Sequence, residues 1–171
     1  MKINRMWLCL AGVLILPSVV KADDTNINIS GTVVASACTV DTDTVNKTVE
    51  FAPVQKKVLS NAGDGGAWSD FDLLVNNCPL GTTAVTAKLT GTVDTQDATA
   101  WKNTGTSSNV ALRIASRDHA TVYSNNSTMK VNVDTNTHSS TFPLSARIFT
   151  PQGSVVAGTF ISVMNVDFTY Q

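Results

Sequence analysis

The chain is poor in the groups that run chemistry. It holds two histidines, His119 and His138, and neither lies near a cysteine in sequence. His119 sits in Arg117-Asp118-His119-Ala120, which reads as a hairpin turn, and His138 closes Asp134-Thr-Asn-Thr-His138, which reads as a solvent loop. No G-x-S-x-G or other nucleophile motif occurs, and no carboxylate cluster suggests glycoside hydrolysis. P-loop, glycine-rich nucleotide and metal-ligand spacings are missing as well. The expectation is a protein that is not an enzyme, with no catalytic residue, no cofactor, no metal and no small-molecule substrate. Only 15% of the residues are charged, 12 basic against 13 acidic, and no basic block stands out. Nucleic acid and anionic membrane surfaces are therefore not expected partners.

Long apolar runs are also scarce. One, Trp7 to Leu16 (WLCLAGVLIL), follows Lys2 and Arg5 and is broken by Pro17 and Ser18. Val20-Lys21-Ala22 then places small residues where a signal peptidase inspects the chain, so residues 1–22 read as a secretory signal. The run is short for a membrane span, and the chain turns polar at once in Asp23-Asp24-Thr25-Asn26, which argues against a retained anchor. Cleavage after Ala22 leaves 149 of the 171 residues, the length of one domain. The signal takes Lys2, Arg5 and Lys21 with it, so nine basic residues then face 13 acidic ones, a net charge of about −4.

Cys9 leaves with the signal. Cys38 and Cys78 remain, an even number in an exported chain, which implies one disulfide formed in an oxidising space such as a periplasm. The pair is too far apart in sequence, and too far from any histidine, to suggest a metal site.

What is present is β-structure. Val and Thr abound, and no segment has a helical period. Short stretches of period-2 alternation recur between clusters of Gly, Asn, Asp and Ser. They are Thr25–Val33, Thr48–Phe51, Phe71–Val75, Val85–Leu89, Val110–Ile114, Met129–Val133, Phe142–Phe149 and Gly158–Tyr170. Residues 62–66, 94–109 and 124–127 read as loops. Seven or eight short strands in one domain suggest a β-sandwich.

The two ends of the exported chain differ from the rest. Near the start, Thr25, Ile27, Ile29, Gly31 and Val33 share one face, and Asn26, Asn28, Ser30 and Thr32 the other. That pattern describes a strand burying one face in an apolar groove, or an ordinary first strand of the sandwich. Near the finish, Phe160, Met164, Val166, Phe168 and Tyr170 share a face with Ser162. Asn165, Asp167, Thr169 and Gln171 lie opposite, together with Ile161 and Val163. This is a groove wall or a plain final core strand.

Taken in order, these features resemble subunits of chaperone–usher fimbriae, the type 1 pilin family. They are a signal peptide, an alternating extension with Gly31 on its apolar face, Cys38 soon after, and Cys78 within Leu73-Leu-Val-Asn-Asn-Cys-Pro79. Gly158 lies fourteenth from the end, alternating apolar residues follow it, and Tyr170 is penultimate. Ala67-Trp-Ser-Asp70, Asn77-Cys-Pro-Leu-Gly-Thr82 with Val85-Thr-Ala87, and Lys102-Asn-Thr-Gly-Thr106 look most like a minor, tip-adaptor subunit.

The resemblance implies an incomplete immunoglobulin-like β-sandwich, the pilin fold, lacking its last strand and carrying an N-terminal donor-strand extension. It divides the chain into a signal peptide at 1–22, an extension at 23–36 and a pilin domain at 37–171. Thr25, Ile27, Ile29, Gly31 and Val33 become the donor face. Thr25 is a departure, since an aliphatic residue would fill its pocket better. Gly158, Phe160, Met164, Val166, Phe168 and Tyr170 become groove and chaperone contacts. The implied partners are a periplasmic pilus chaperone, an outer-membrane usher and neighbouring fimbrial subunits, on a route through the periplasm to a surface fimbrium. The alternatives are a major shaft pilin, or a small exported carbohydrate-binding module using Trp68 and Trp101.

Overall fold

In the computed structural model, residues 28–32 and 37–171 are described. The chain divides into two units, Met1–Val33 and Val34–Gln171. In the first, Asn28 to Thr32 are exposed and form neither helix nor strand. The signal segment, Thr25, Ile27 and Val33 lie outside the described residues.

In the second unit, alternating sequence becomes paired strands because each apolar face needs cover. Strand β1 is Thr39–Val40 and β2 is Ser69–Asn76, with β3 at Ala84–Gly91 and β4 at Trp101–Lys102. Ala111–Ser116 forms β5, Val122–Tyr123 β6 and Thr128–Asn132 β7, while Ser140–Phe149 is β8 and Met164–Tyr170 is β9. One sheet runs β1-β2-β8-β5-β4 with β6 on β5, and the other runs β7-β3-β9. Every strand pairing is antiparallel.

Between the sheets, Phe71, Leu73 and Val75 of β2 and Phe142 and Leu144 of β8 meet Val85, Ala87 and Leu89 of β3. Each of the larger side chains contributes about 1.5–3 kcal/mol on full burial. The Cys38–Cys78 disulfide closes one end of this core, with Cα atoms 4.2 Å apart across a separation of 40 residues.

Several expectations need correction. Thr48–Phe51 is not a strand. It alternates correctly, with Val49 and Phe51 packed on the core, but among the described residues no neighbouring strand offers it a ladder. Gly158–Tyr170 is regular only from Met164 onward. Upstream, Gly158 crosses so close to Thr106 and Ser107 that an added Cβ would lie 2.5 Å from the Ser107 amide nitrogen. The helical period goes unseen in one short turn, α1 at Thr42–Val45, capped by the Asp41 carboxylate accepting from the Asp43 amide.

The loop read at 94–109 contains β4, and Trp101 there is fully buried. Its indole N–H donates to the Tyr123 carbonyl at 3.3 Å. His119 does sit in the β5–β6 hairpin turn, at φ 62°. His138 lies in the turn between Asp134 and Ser139.

Candidate functional site

The domain is open along one side, and the reason is topological. Strand β9 pairs with β3 through seven residues, Val85 opposite Tyr170 to Gly91 opposite Met164, and among the described residues with nothing on its other edge. Beyond that edge lies the irregular segment 46–54. Among the described residues, the backbone groups of its residues 47–54 make no hydrogen bonds within the chain. Both lips of the opening therefore carry backbone donors and acceptors that only solvent or an added strand can satisfy.

The groove between the lips has a volume of about 1410 Å³. Phe71, Leu73, Leu112, Ile114 and Ala146 line its floor. Phe160, Met164, Val166 and Phe168 form one wall, each half-buried and packed against the main core, and Tyr170 continues the same face of β9 past the groove. Val49 and Phe51 come from the other lip, and the Phe51 ring meets Phe160 edge-on at 6.0 Å between centroids. Burial raises the Tyr170 phenol above its ordinary value. The charged lining residues, Lys47, Glu50, Lys56 and Asp167, are all exposed.

Such a site can hold an extended segment whose alternate side chains are apolar, with backbone pairing along the lips. The structure brings together Phe160, Met164, Val166 and Phe168 along the groove, with Gly158 at its upstream end, while Tyr170 packs on the core beyond the groove lining. Ile29 and Gly31 fall in the exposed stretch 28–32, and Thr25, Ile27 and Val33 lie outside the described residues. The second lip, residues 46–54, is the part that sequence reasoning missed. Its alternation was visible, but pattern cannot show that a strand-like segment has no partner.

The carbohydrate reading loses its aromatic platform. Trp101 is in the core. Trp68 stacks on His119 at 4.2 Å between ring centroids, and the Arg147 guanidinium lies 4.6 Å from the same indole. An indole so engaged has little ring face to offer a sugar. Among the described residues, no group of three or more His, Cys, Asp or Glu could hold a metal ion.

Comparison with known proteins gives a consistent answer. Protein FimG of Escherichia coli K12 is 36% identical over 171 residues, 99% of each chain. The S-fimbrial adhesin protein SfaS of Escherichia coli O6:K15:H31 is 34% identical over 151 residues, covering 88% of this chain and 87% of its own. In three dimensions, the P pilus rod subunit PapA matches with a TM-score of 0.68 at 16% identity, over 80% of this chain and all of the other. That likeness speaks for the pilin fold. A family model described as "Fimbrial protein" matches residues 27–171, and the chain belongs to that family of fimbrial structural subunits.

Proposed function

We propose that this chain joins its fibre by donor-strand exchange, as a minor subunit near the tip that links an adhesin to the shaft. One observation carries the mechanism: the free edge of β9 borders an apolar groove whose opposite lip is equally unpaired. Residues 1–22 are the signal, removed on export. Residues 23–36 are the extension, and Thr25, Ile27, Ile29, Gly31 and Val33 are the donor face, seated in the groove of the neighbouring subunit. Residues 37–171 are the acceptor domain. In the periplasm a pilus chaperone fills the groove first, and an outer-membrane usher passes the subunit to the surface.

The energetics fit exchange rather than simple docking. Ile27, Ile29 and Val33 each contribute roughly 1.5–3 kcal/mol when buried, while ordering the extension costs about 1–2 kcal/mol per residue. The donor also completes the acceptor's core, so its binding is coupled to the acceptor's stability. The full-length likeness to FimG supports the adaptor position.

Ile29→Asp tests the donor face. It places a charge in an apolar groove, so the variant should fold with its chaperone yet fail to join the preceding subunit. Unchanged fibre assembly would remove Ile29 from the donor face. Immunogold labelling of purified fibres tests position. Label at tips alone supports the adaptor, and label along the length makes the chain a shaft pilin.

A further inference from the structure

The upstream half of the groove's wall is not strand. The groove is lined from Ala157 to Phe168, and pairing with β3 begins only at Met164. Residues 157–163 lie instead against the loop that follows β4. That loop starts on the β3 side of the wall, where the Lys102 amide donates to the Thr92 carbonyl, one residue past β3. The approach is close enough that a Cβ on Gly105 would collide with the Thr159 carbonyl. The Thr159 carbonyl accepts from the Ser107 amide at 3.0 Å, and the Thr159 amide donates to the Thr106 hydroxyl at 2.9 Å. The Ile161 carbonyl accepts from the Thr104 amide at 2.7 Å and from its hydroxyl at 3.1 Å.

The Ile161 amide finds no backbone acceptor among the described residues. It donates to the side-chain oxygen of Asn103 at 2.9 Å. That half-buried side chain also shapes the loop: the same oxygen accepts from the Gly105 amide at 2.8 Å, and its Nδ2 donates to the Ser107 carbonyl at 2.7 Å. Asn103 itself does not line the groove. Thr159 and Ile161 thus turn both amide and carbonyl to the loop. In extended chain the residues between and after them turn theirs to the opposite side. Phe160 and Ser162 therefore present backbone groups along the groove's open edge, and among the described residues those groups have no backbone partner.

We propose that Asn103 is a positioning residue for strand acceptance. It touches no incoming strand. By taking the Ile161 amide it keeps Phe160 and Ser162 turned to the opening, and so extends the free edge of β9 upstream for backbone pairing. Without that acceptor the Ile161 amide must find solvent or another partner, and the neighbouring peptide units turn with it. The inference rests on the donor-strand reading, and names the residue that sets how much of the groove's length pairs with the strand.

Refolding the mature chain, residues 23–171, with labelled peptides tests this by fluorescence anisotropy. The probes are the 23–36 peptide, standing in for a neighbour's extension, and two shortened forms, 23–32 and 27–36. On the unaltered chain the full peptide should bind several-fold tighter than the shortened form that leaves the upstream end empty. Asn103→Ala should bring that ratio close to one, whereas Asn103→Asp, which keeps the acceptor for the Ile161 amide, should preserve it. A ratio unchanged in Asn103→Ala overturns the proposal, and so does an equal loss for all three peptides, which a merely structural role would give. Where Asn103→Ala does not refold, hydrogen exchange on the unaltered chain decides. Docking should protect the Phe160 and Ser162 amides, with the Thr159 and Ile161 amides protected with or without peptide. Docking that leaves Phe160 and Ser162 exchanging as before overturns the inference and leaves strand exchange standing. A 23–36 peptide that fails to dock on the unaltered chain sinks the donor-strand reading, and this inference with it.

Discussion

Cys38 and Cys78 show how a single residue pair can be readable and energetically central. Their parity in an exported chain required a bridge, and the structure forms it between the first residues of the domain and the end of β2. Closing a loop of 40 residues removes about 4 kcal/mol worth of unfolded-state freedom in the chain-entropy account. Cys38→Ser should lower the denaturant midpoint of the strand-completed domain, by up to that amount of free energy, and a midpoint shift near zero would show the bridge to be dispensable. Asp97 gives a second test at this scale. Burial pushes its carboxyl up, but the Thr99 hydroxyl and amide and the Arg113 guanidinium outweigh this and hold it below its ordinary value of 3.8. The lowered folded value means stability that is present above 3.8 and lost as pH falls through the folded pKa. Asp97→Asn should therefore flatten the loss of stability below about pH 4, as read by acid titration of the unfolding free energy. An unaltered acid limb would mean the Arg113 pair, 2.8 Å apart, contributes nothing there. Trp101 was not legible at this scale. Its loop-like surroundings hide a fully buried side chain, because only the fold shows that β4 pairs with β5 at the sheet's edge and turns Trp101 into the core.

At the scale of elements, period-2 alternation located the strands that are buried on one face. Phe71–Val75, Val85–Leu89, Met129–Val133 and Phe142–Phe149 all lie within or nearly within β2, β3, β7 and β8. It failed where alternation and pairing part company. Thr48–Phe51 has a strand's pattern without a strand's hydrogen bonds, since its ladder partner is absent from the described chain. Two-residue strands such as β1, β4 and β6 are too short to carry any period. The upstream part of Gly158–Tyr170 is held instead by Thr104, Thr106 and Ser107, contacts distant in sequence. If segment 46–54 is the second lip of a strand-accepting groove, its amides should exchange rapidly in the open domain. They should become protected when the 23–36 peptide is bound, as hydrogen exchange resolved by residue will show. Equal exchange with and without the peptide would leave that lip outside the interface. Gly158→Ala addresses the other lip. The new methyl would press on the Thr106–Ser107 backbone, so the segment leading into β9 should shift and peptide docking should weaken.

For the whole molecule, the governing fact is that a two-layer core ends one strand short. The groove wall of Phe160, Met164, Val166 and Phe168 is half-buried where a completed sandwich would bury it. Composition indicated a sandwich, and only the likeness of the chain's ends to known fimbrial subunits indicated an incomplete one. An exposed apolar edge of this kind promotes association with any available strand, which suits a part made for assembly and makes the isolated part fragile. In the proposed reading, the alternating extension supplies what the groove and its unpaired lips lack.

The central claim is that residues 37–171 form an incomplete domain that one alternating strand completes. The most direct test compares three forms of that domain: bare, extended after Gln171 by a flexible linker and residues 23–36, and extended by a scrambled strand of the same composition. Denaturant unfolding followed by tryptophan fluorescence, with light scattering to detect association, reads all three. The account predicts a stable, cooperative monomer for the native pattern alone, with the bare and scrambled forms unstable or self-associating, because register decides which side chains enter the groove. A bare domain that unfolds as a stable, cooperative monomer would contradict it.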